Sequence, residues 1–377
     1  MPGYFAAQAV ASIAVLLLAS GICVVLRRSS AAHRHLVWVL AFTALLVTPV
    51  CSWVIAPMLV RVTPSRVTPV VTMIAAQTDV PTQSPSRPAS PPAIPLAMVA
   101  GAIWAAGTVV FLVRIWIGLT VCVRRRKESA VDEGAGMISR DLSDRLQLRK
   151  PASVFLSDVI SVPETFGLWK PAVVLPSTAR QWPRERLRIV LLHELIHVQR
   201  RDWAAHLFAR ISTAMFWFNP LSWYALGRLQ QEREAACDDE VLRFGVGHSE
   251  YALELVAVAR ECRAASSSAM AVAMARTAHL QGRIQAILNP DLNRRRLTMK
   301  SKIGTLVPAA LLVAVASMFT APAQTGSATV SGIVQDPSGA RIPEAQAILS
   351  KGNAVETIRT DAQGGFTFSG IPNGPIL

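Results

Sequence analysis

Long apolar runs without a single acidic residue alternate with stretches of mixed character along this chain. Residues 4–26, 36–60, 94–123 and 303–323 each supply about the twenty apolar positions needed to cross a ~30 Å hydrocarbon layer. Arg114 interrupts the third run. A helix over 96–123 would overshoot that layer at ~1.5 Å per residue, so Arg114 is expected to snorkel toward the interface. Between the third and fourth runs, 124–302 reads differently. Segments 152–156 and 172–175 have the short apolar pattern of strands, with turn chemistry at 162–167 between them. Helical periodicity follows at 184–199 and again at 203–229, where Asn219-Pro220 breaks it. Further helices are expected at 249–262 and 279–288, joined by a small-residue stretch, 264–275, expected to be flexible. The dense aromatics Phe216, Trp217, Phe218, Trp223 and Tyr224 suit either a helix–loop–helix at a membrane interface or an aromatic core.

The expected architecture is a mainly α membrane protein with four transmembrane helices. Residues 1–123 hold three of them and an extracytoplasmic loop at 61–93. An α+β domain occupies 124–302, the fourth span 303–323, and a short β-sandwich fragment 324–377. Basic residues orient it. Arg27, Arg28 and Arg34 lie between the first two runs, Arg124–Lys127 follow the third, and Arg294–Arg296 with Lys300 and Lys302 precede the fourth. The positive-inside rule then puts 124–302 in the cytoplasm and both termini outside.

Composition adds little that the pattern has not shown. The 377 residues are 51% hydrophobic, with a mean hydropathy of +0.37, too apolar for an ordinary soluble enzyme. The net charge of +14 sits mostly beside the spans, where it serves topology and attraction to anionic lipid. No DNA-reading motif accompanies it, so direct nucleic-acid binding is not expected. Cys23, Cys51, Cys122, Cys237 and Cys262 imply no disulfide framework. The first run lacks a basic leader and reads as a retained span, whereas 299–324 has the basic, apolar, Ala-Pro-Ala layout of a signal peptide. An intact fourth span and a cleavable one are both readings of that segment.

The chemistry concentrates in His193-Glu194-Leu195-Ile196-His197. On a helix, positions i and i+4 share a face, so both imidazoles can reach one Zn²⁺, with Glu194 beside them as general base. A catalytic zinc needs a third protein ligand and an open position. Glu234 is the best source. Asp238, one turn later on the same face, would accept the free ring N–H of one histidine. Cys237 faces away from Glu234 at this spacing. The alternative is a solvated acidic helix face. The segment 171–176 is a candidate edge on which an extended substrate could pair through Ala172, Val173, Val174 and Leu175. Candidates for stabilising the oxyanion are His248 and Tyr224, while His206 and His279 read as ordinary core or surface histidines.

At this point the chain resembles the BlaR/MecR-type antirepressor membrane metallopeptidases. The resemblance covers most of 1–302 and rests on ordered motifs: Thr165-Phe166-Gly167 with Pro171 and Leu175-Pro176, then His193–His197 running into Arg200 and Asp202. Trp217-Phe218-Asn219-Pro220, Arg233–Asp238 and Arg283-Ile284 follow. It implies a gluzincin-like zinc protease domain with His193, His197 and Glu234 as ligands, Glu194 as base and Asp238 supporting them. It also implies a cytosolic protein substrate, such as a DNA-binding repressor, or self-cleavage. After the fourth span the chain departs from that pattern. No Ser-x-x-Lys occurs in 324–377, so β-lactam sensing is not supported. The tail instead resembles the start of a carboxypeptidase-regulatory-like domain with an unknown extracytoplasmic ligand. A homodimer, a housekeeping membrane protease, and a non-catalytic transducer with structural zinc remain alternatives.

Overall fold

The computed structural model describes residues 2–60, 96–167, 170–265, 270–299, 303–305, 327–336, 338–351 and 354–372. The expected loop 61–93, nearly all of the fourth span and the signal-peptide-like junction lie outside them. Among the described residues, three helices are long and apolar enough to cross a membrane, over Ala6–Arg28, Ala31–Pro49 and Met98–Lys127.

The first two, α1 (Pro2–Val25) and α2 (Ala31–Val60), are joined by a single 3₁₀ turn, Leu26–Arg28. Helix α2 starts five residues earlier than the apolar run suggests. Its first turns carry His33, Arg34 and His35, and Arg34 folds back to donate to the Ser29 carbonyl at 2.5 Å. Helix α3 (Leu96–Glu128) runs on past Val123 through all of Arg124–Lys127, and its apolar side chains, such as Val110, Trp116 and Ile117, face outward.

A four-stranded sheet follows, built from β1 (Ala130–Val131), β2 (Ser153–Ser157), β3 (Glu164–Phe166) and β4 (Ala172–Pro176), with α4 (Glu133–Arg145) after β1. The strand order is β1-β2-β4-β3, with β2 and β4 parallel. Two expectations are corrected here. The segment expected as a turn contains β3, a three-residue strand bracketed by Pro163 and Gly167, too short for alternation to reveal. Strand β4 is not an edge. It pairs with β2 on one side and β3 on the other, and Ala172, Val173, Val174 and Leu175 are at most 1% exposed. The sheet's two edges are β1 and β3, and of these β3 lies beside the paired histidines' helix through the Thr165–Glu194 contact.

Helix α5 (Arg184–Arg200) lays Leu191, Leu192, Leu195 and Ile196 into the core beside Val173 and Leu175 of β4 and Cys237 and Val241 further on. A single left-handed residue, Arg201 (φ 57°), separates it from α6 (Asp202–Met215). Asn219 caps α7 (Pro220–Arg243), accepting from the Leu221 amide at 3.0 Å with proline at the first helical position, which is why the chain breaks there. The aromatic stretch around that break docks on the apolar helices. Phe216 packs with Leu16, Phe42 and Leu45. Asn219 donates to Ser12 at 3.0 Å. Gly107 of α3 leaves room for the Trp217 indole, which a Cβ at that position would strike. Helices α8 (His248–Ala265) and α9 (Met270–Leu288) close the domain. Helix α9 begins nine residues before His279, so much of the alanine-rich stretch expected to be flexible is helical, as alanine favours.

The C-terminal unit pairs β5 (Ser327–Ile333) with β8 (Gly365–Pro372) and β6 (Gln346–Lys351) with β7 (Ala354–Arg359), both antiparallel. Ala347 and Phe368 bury between the two pairs, flanked by Val330, Leu349, Ile358 and Phe366.

Candidate metal centre

Two turns of α5 and the middle of α7 face each other across the core. His193 and His197, one turn apart on α5, bring their Nε2 atoms within 3.2 Å of each other, with the rings at 89°. Glu234 of α7 closes the group: one oxygen lies 3.5 Å from His193 Nε2 and the other 3.8 Å from His197 Nε2. The three donors all lie within 4.8 Å of one another. Two nitrogen lone pairs this close, facing a carboxylate, repel unless a proton or a metal cation lies among them. Two imidazoles and one carboxylate are also the donor set that zinc accepts with a coordination position left open.

Each histidine is held from behind. His197 Nδ1 donates to Asp202 Oδ2 at 2.9 Å, and the same oxygen accepts from Arg200 at 3.0 Å and from the Cys237 thiol at 3.3 Å. Burial opposes the charge of Asp202, but the bond from His197 and the Arg200 guanidinium outweigh it and hold the carboxyl well below its usual range. Burial pushes the Cys237 thiol up to about 11, so it stays protonated and donates. Burial likewise opposes protonation of His197, yet the carboxylates of Glu234 and Asp202 hold its imidazole well above the ordinary range.

On the other ring, the sequence suggested a direct bond to Asp238. The structure interposes Tyr251 of α8. The Tyr251 hydroxyl lies 2.9 Å from His193 Nδ1 and 2.6 Å from Asp238 Oδ1, while Asp238 and the ring nitrogen stand 3.6 Å apart. Burial and the Asp238 charge hold the phenol well above its ordinary range, so it keeps its proton and donates a hydrogen bond to Asp238. The hydroxyl must then accept from His193 Nδ1–H, which turns the Nε2 lone pair toward Glu234. Arg283 of α9 grips Asp238 with two nitrogens at 2.8 and 2.7 Å and touches Glu234 at 3.3 Å. Arg233 donates to Glu234 at 2.7 Å. Burial works against the Glu234 charge, but His197, His193 and the two guanidiniums hold it well below the carboxylate range.

Glu194 lines the same cleft, of about 480 Å³, together with the three donors, Val162, Phe166 and Trp203. Its carboxylate accepts from Thr165 Oγ1 at 2.5 Å, which ties it to the edge strand β3. A larger cavity of about 890 Å³ lies across α7 and α9, beside Arg27, Arg34 and Asp239. The three donors and Glu194 all line the smaller cleft, so the chemistry belongs there.

The two residues suggested for oxyanion stabilisation are elsewhere: His248 Nδ1 donates to the Ile287 carbonyl at 2.7 Å, and Tyr224 packs edge-on against Trp38. Cys237 sits behind His197, 3.2 Å from Nδ1, rather than among the three donors. Sequence reasoning gave no role to Asp202, although an acid five residues after His197 was a visible signal. Nothing local marked Tyr251, and Thr165 stood out only within the Thr165-Phe166-Gly167 motif, with no role attached to it.

Two histidines and a carboxylate that could hold a metal ion, in a chain with three helices fit to cross a membrane, are the pattern of a membrane metalloprotein. The chain belongs to the family described as BlaR1 peptidase M56, whose model matches residues 4–287. It is 27% identical over 225 residues to the "Regulatory protein BlaR1" of Bacillus licheniformis, a match covering 58% of this chain and 37% of that protein. A "Methicillin resistance mecR1 protein" of Staphylococcus aureus is 26% identical over 143 residues, 34% of this chain and 24% of that protein. The matched region is thus well under half the length of either relative.

Proposed function

We propose that this chain is a zinc-dependent membrane endopeptidase of a signalling system, cutting a cytosolic protein of the repressor kind or a second site in itself. The observation that carries the reading is the convergence of His193, His197 and Glu234 in one cleft with Glu194. Zinc, when bound by these three, supplies a Lewis acid that polarises the scissile carbonyl and acidifies a water. Glu194 takes the proton of that water and passes it to the leaving amine. Asp202 keeps His197 in the tautomer that ligates, and Tyr251 with Asp238 does the same for His193. An extended substrate adds to the open edge of β3 rather than to β4, which aligns its backbone beside Glu194. The membership in a peptidase family and the printed names of the two relatives, one regulatory and one of methicillin resistance, support the signalling role. The basic flanks of the spans support a cytoplasmic position for the domain.

The test is Glu194→Gln in the full chain. Zinc content should hold near one equivalent while hydrolysis of fluorescein-labelled casein falls by three orders of magnitude or more. Cleavage that persists at the wild-type rate rejects the peptidase mechanism.

A further inference from the structure

Asp202 and His206 are one turn apart on α6 and therefore share a face. Asp202 uses that face to hold His197. His206, on the next turn, lines the cleft that also contains His193, Glu194, His197 and Glu234, and the chemistry above leaves it unused. Its Nδ1 is sealed from solvent and has no hydrogen-bond partner among the described residues. Burial first, then the guanidiniums of Arg233 and Arg210, lower its pKa to about 4, so the ring is neutral. A neutral imidazole carries its proton on one nitrogen and a lone pair on the other. A buried acceptor without a partner is tolerated more readily than a buried donor without one, and nearby cations favour the lone pair. That logic leaves the lone pair on Nδ1 and the proton on Nε2.

We propose that His206 is a catalytic residue of the hydrolysis, its Nε2–H donating into the cleft to the scissile carbonyl oxygen and strengthening as that oxygen gains negative charge. The proton stays on Nε2 throughout. A neutral donor suits the position, because it stabilises a developing charge without competing with the metal for Glu234. The inference rests on the peptidase reading and names the oxyanion donor that His248 and Tyr224 cannot be.

The experiment uses the full zinc-loaded chain in detergent with fluorescein-labelled casein. His206→Ala should lower kcat about 100- to 1000-fold, the loss typical of one oxyanion donor, with KM within about threefold. His206→Gln, whose amide can donate, should recover at least tenfold of that loss. The affinity of a phosphinic peptide, a tetrahedral anion, should fall alongside kcat while zinc content is unchanged. A readout independent of turnover is ¹⁵N NMR of the metal-free, histidine-labelled protein at pH 7. The resonance missing from His206→Gln should show the Nε2–H tautomer. A His206→Ala variant that keeps the wild-type kcat, Gln no better than Ala, a loss confined to KM, or the Nδ1–H tautomer would each overturn the assignment. Casein cleavage by the wild type that Glu194→Gln abolishes is the separate control. Its absence removes the peptidase reading and this inference together, whereas a fully active His206→Ala removes the inference alone.

Discussion

Arg34, in the opening turns of α2, grips Glu232 of α7 through Nε at 2.9 Å and a second guanidinium nitrogen at 2.8 Å. Glu232 is 4% exposed, lies two residues before Glu234, and takes a further bond from Arg228 at 3.0 Å. The apolar hairpin is thereby fastened to the helix that carries Glu234, the third candidate metal donor. Removing one partner of a buried pair costs about 3–5 kcal/mol when the remaining charge is left alone. Because Arg228 stays, Arg34→Ala should cost about 2 kcal/mol, read as a lowered melting temperature by tryptophan fluorescence in detergent. A melting temperature equal to that of the wild type would show the contact to be incidental.

Tyr251→Phe keeps the ring and removes the hydroxyl between His193 and Asp238. His193 Nδ1–H then loses its acceptor, and Asp238 is too far, at 3.6 Å, to replace it well. Loss of such an orienting partner weakens metal affinity about 10- to 100-fold. Competition with a chromophoric chelator measures this, and an unchanged affinity would count against the relay.

Why was this relay invisible in the sequence while the donors were not? His193 and His197 announce themselves because helical periodicity puts them on one face, and Glu194 because it stands in the His-Glu-x-x-His pattern between them. Glu234 followed from its spacing to Asp238 on a helix-like stretch. Tyr251 reaches His193 across 58 positions, and only the packing of α8 against α5 creates that contact. Strand order is equally non-local. The apolar Ala172–Leu175 marks a buried strand, but nothing in it says that β2 and β3 occupy both its sides. The start of α2 was missed for a related reason: His33, Arg34 and His35 look like loop residues until Glu232 and the Ser29 carbonyl supply Arg34 with partners.

Zinc should stabilise the fold as well as complete the site. A ligand present at a hundred times its Kd and bound only by the folded state adds about 2.7 kcal/mol. Zinc is therefore expected to raise the melting temperature and a chelator to reverse it. In Glu234→Ala, with one donor gone, the shift should shrink sharply. An equal zinc-induced shift in wild type and variant would mean that the cation binds elsewhere.

Asp239, beside Arg294 at 3.2 Å, provides a pH prediction. Burial raises its pKa from 3.8 to about 6, and the neighbouring Asp238 charge adds to the rise. A folded value above the unfolded one means stability that is fully present below pH 3.8 and lost as pH rises through about 6. Asp239→Asn should match the wild type near pH 4 and exceed it by up to about 3 kcal/mol at pH 8. Melting curves of both proteins at the two pH values decide it. A variant less stable than wild type at pH 8 would show that the pairing with Arg294 dominates.

The one-residue corner at Arg201 has a kinetic consequence. His193, His197 and Asp202 fall within ten consecutive positions, so the corner assembles two nitrogens and their acid by short-range folding, with little chain entropy to overcome. Glu234, Tyr251 and Arg283 arrive only after longer stretches of polypeptide have been brought home. Two of the three candidate donors and their acid are thus close in sequence, whereas the third depends on long-range packing. Tight loading becomes a reporter of finished tertiary structure.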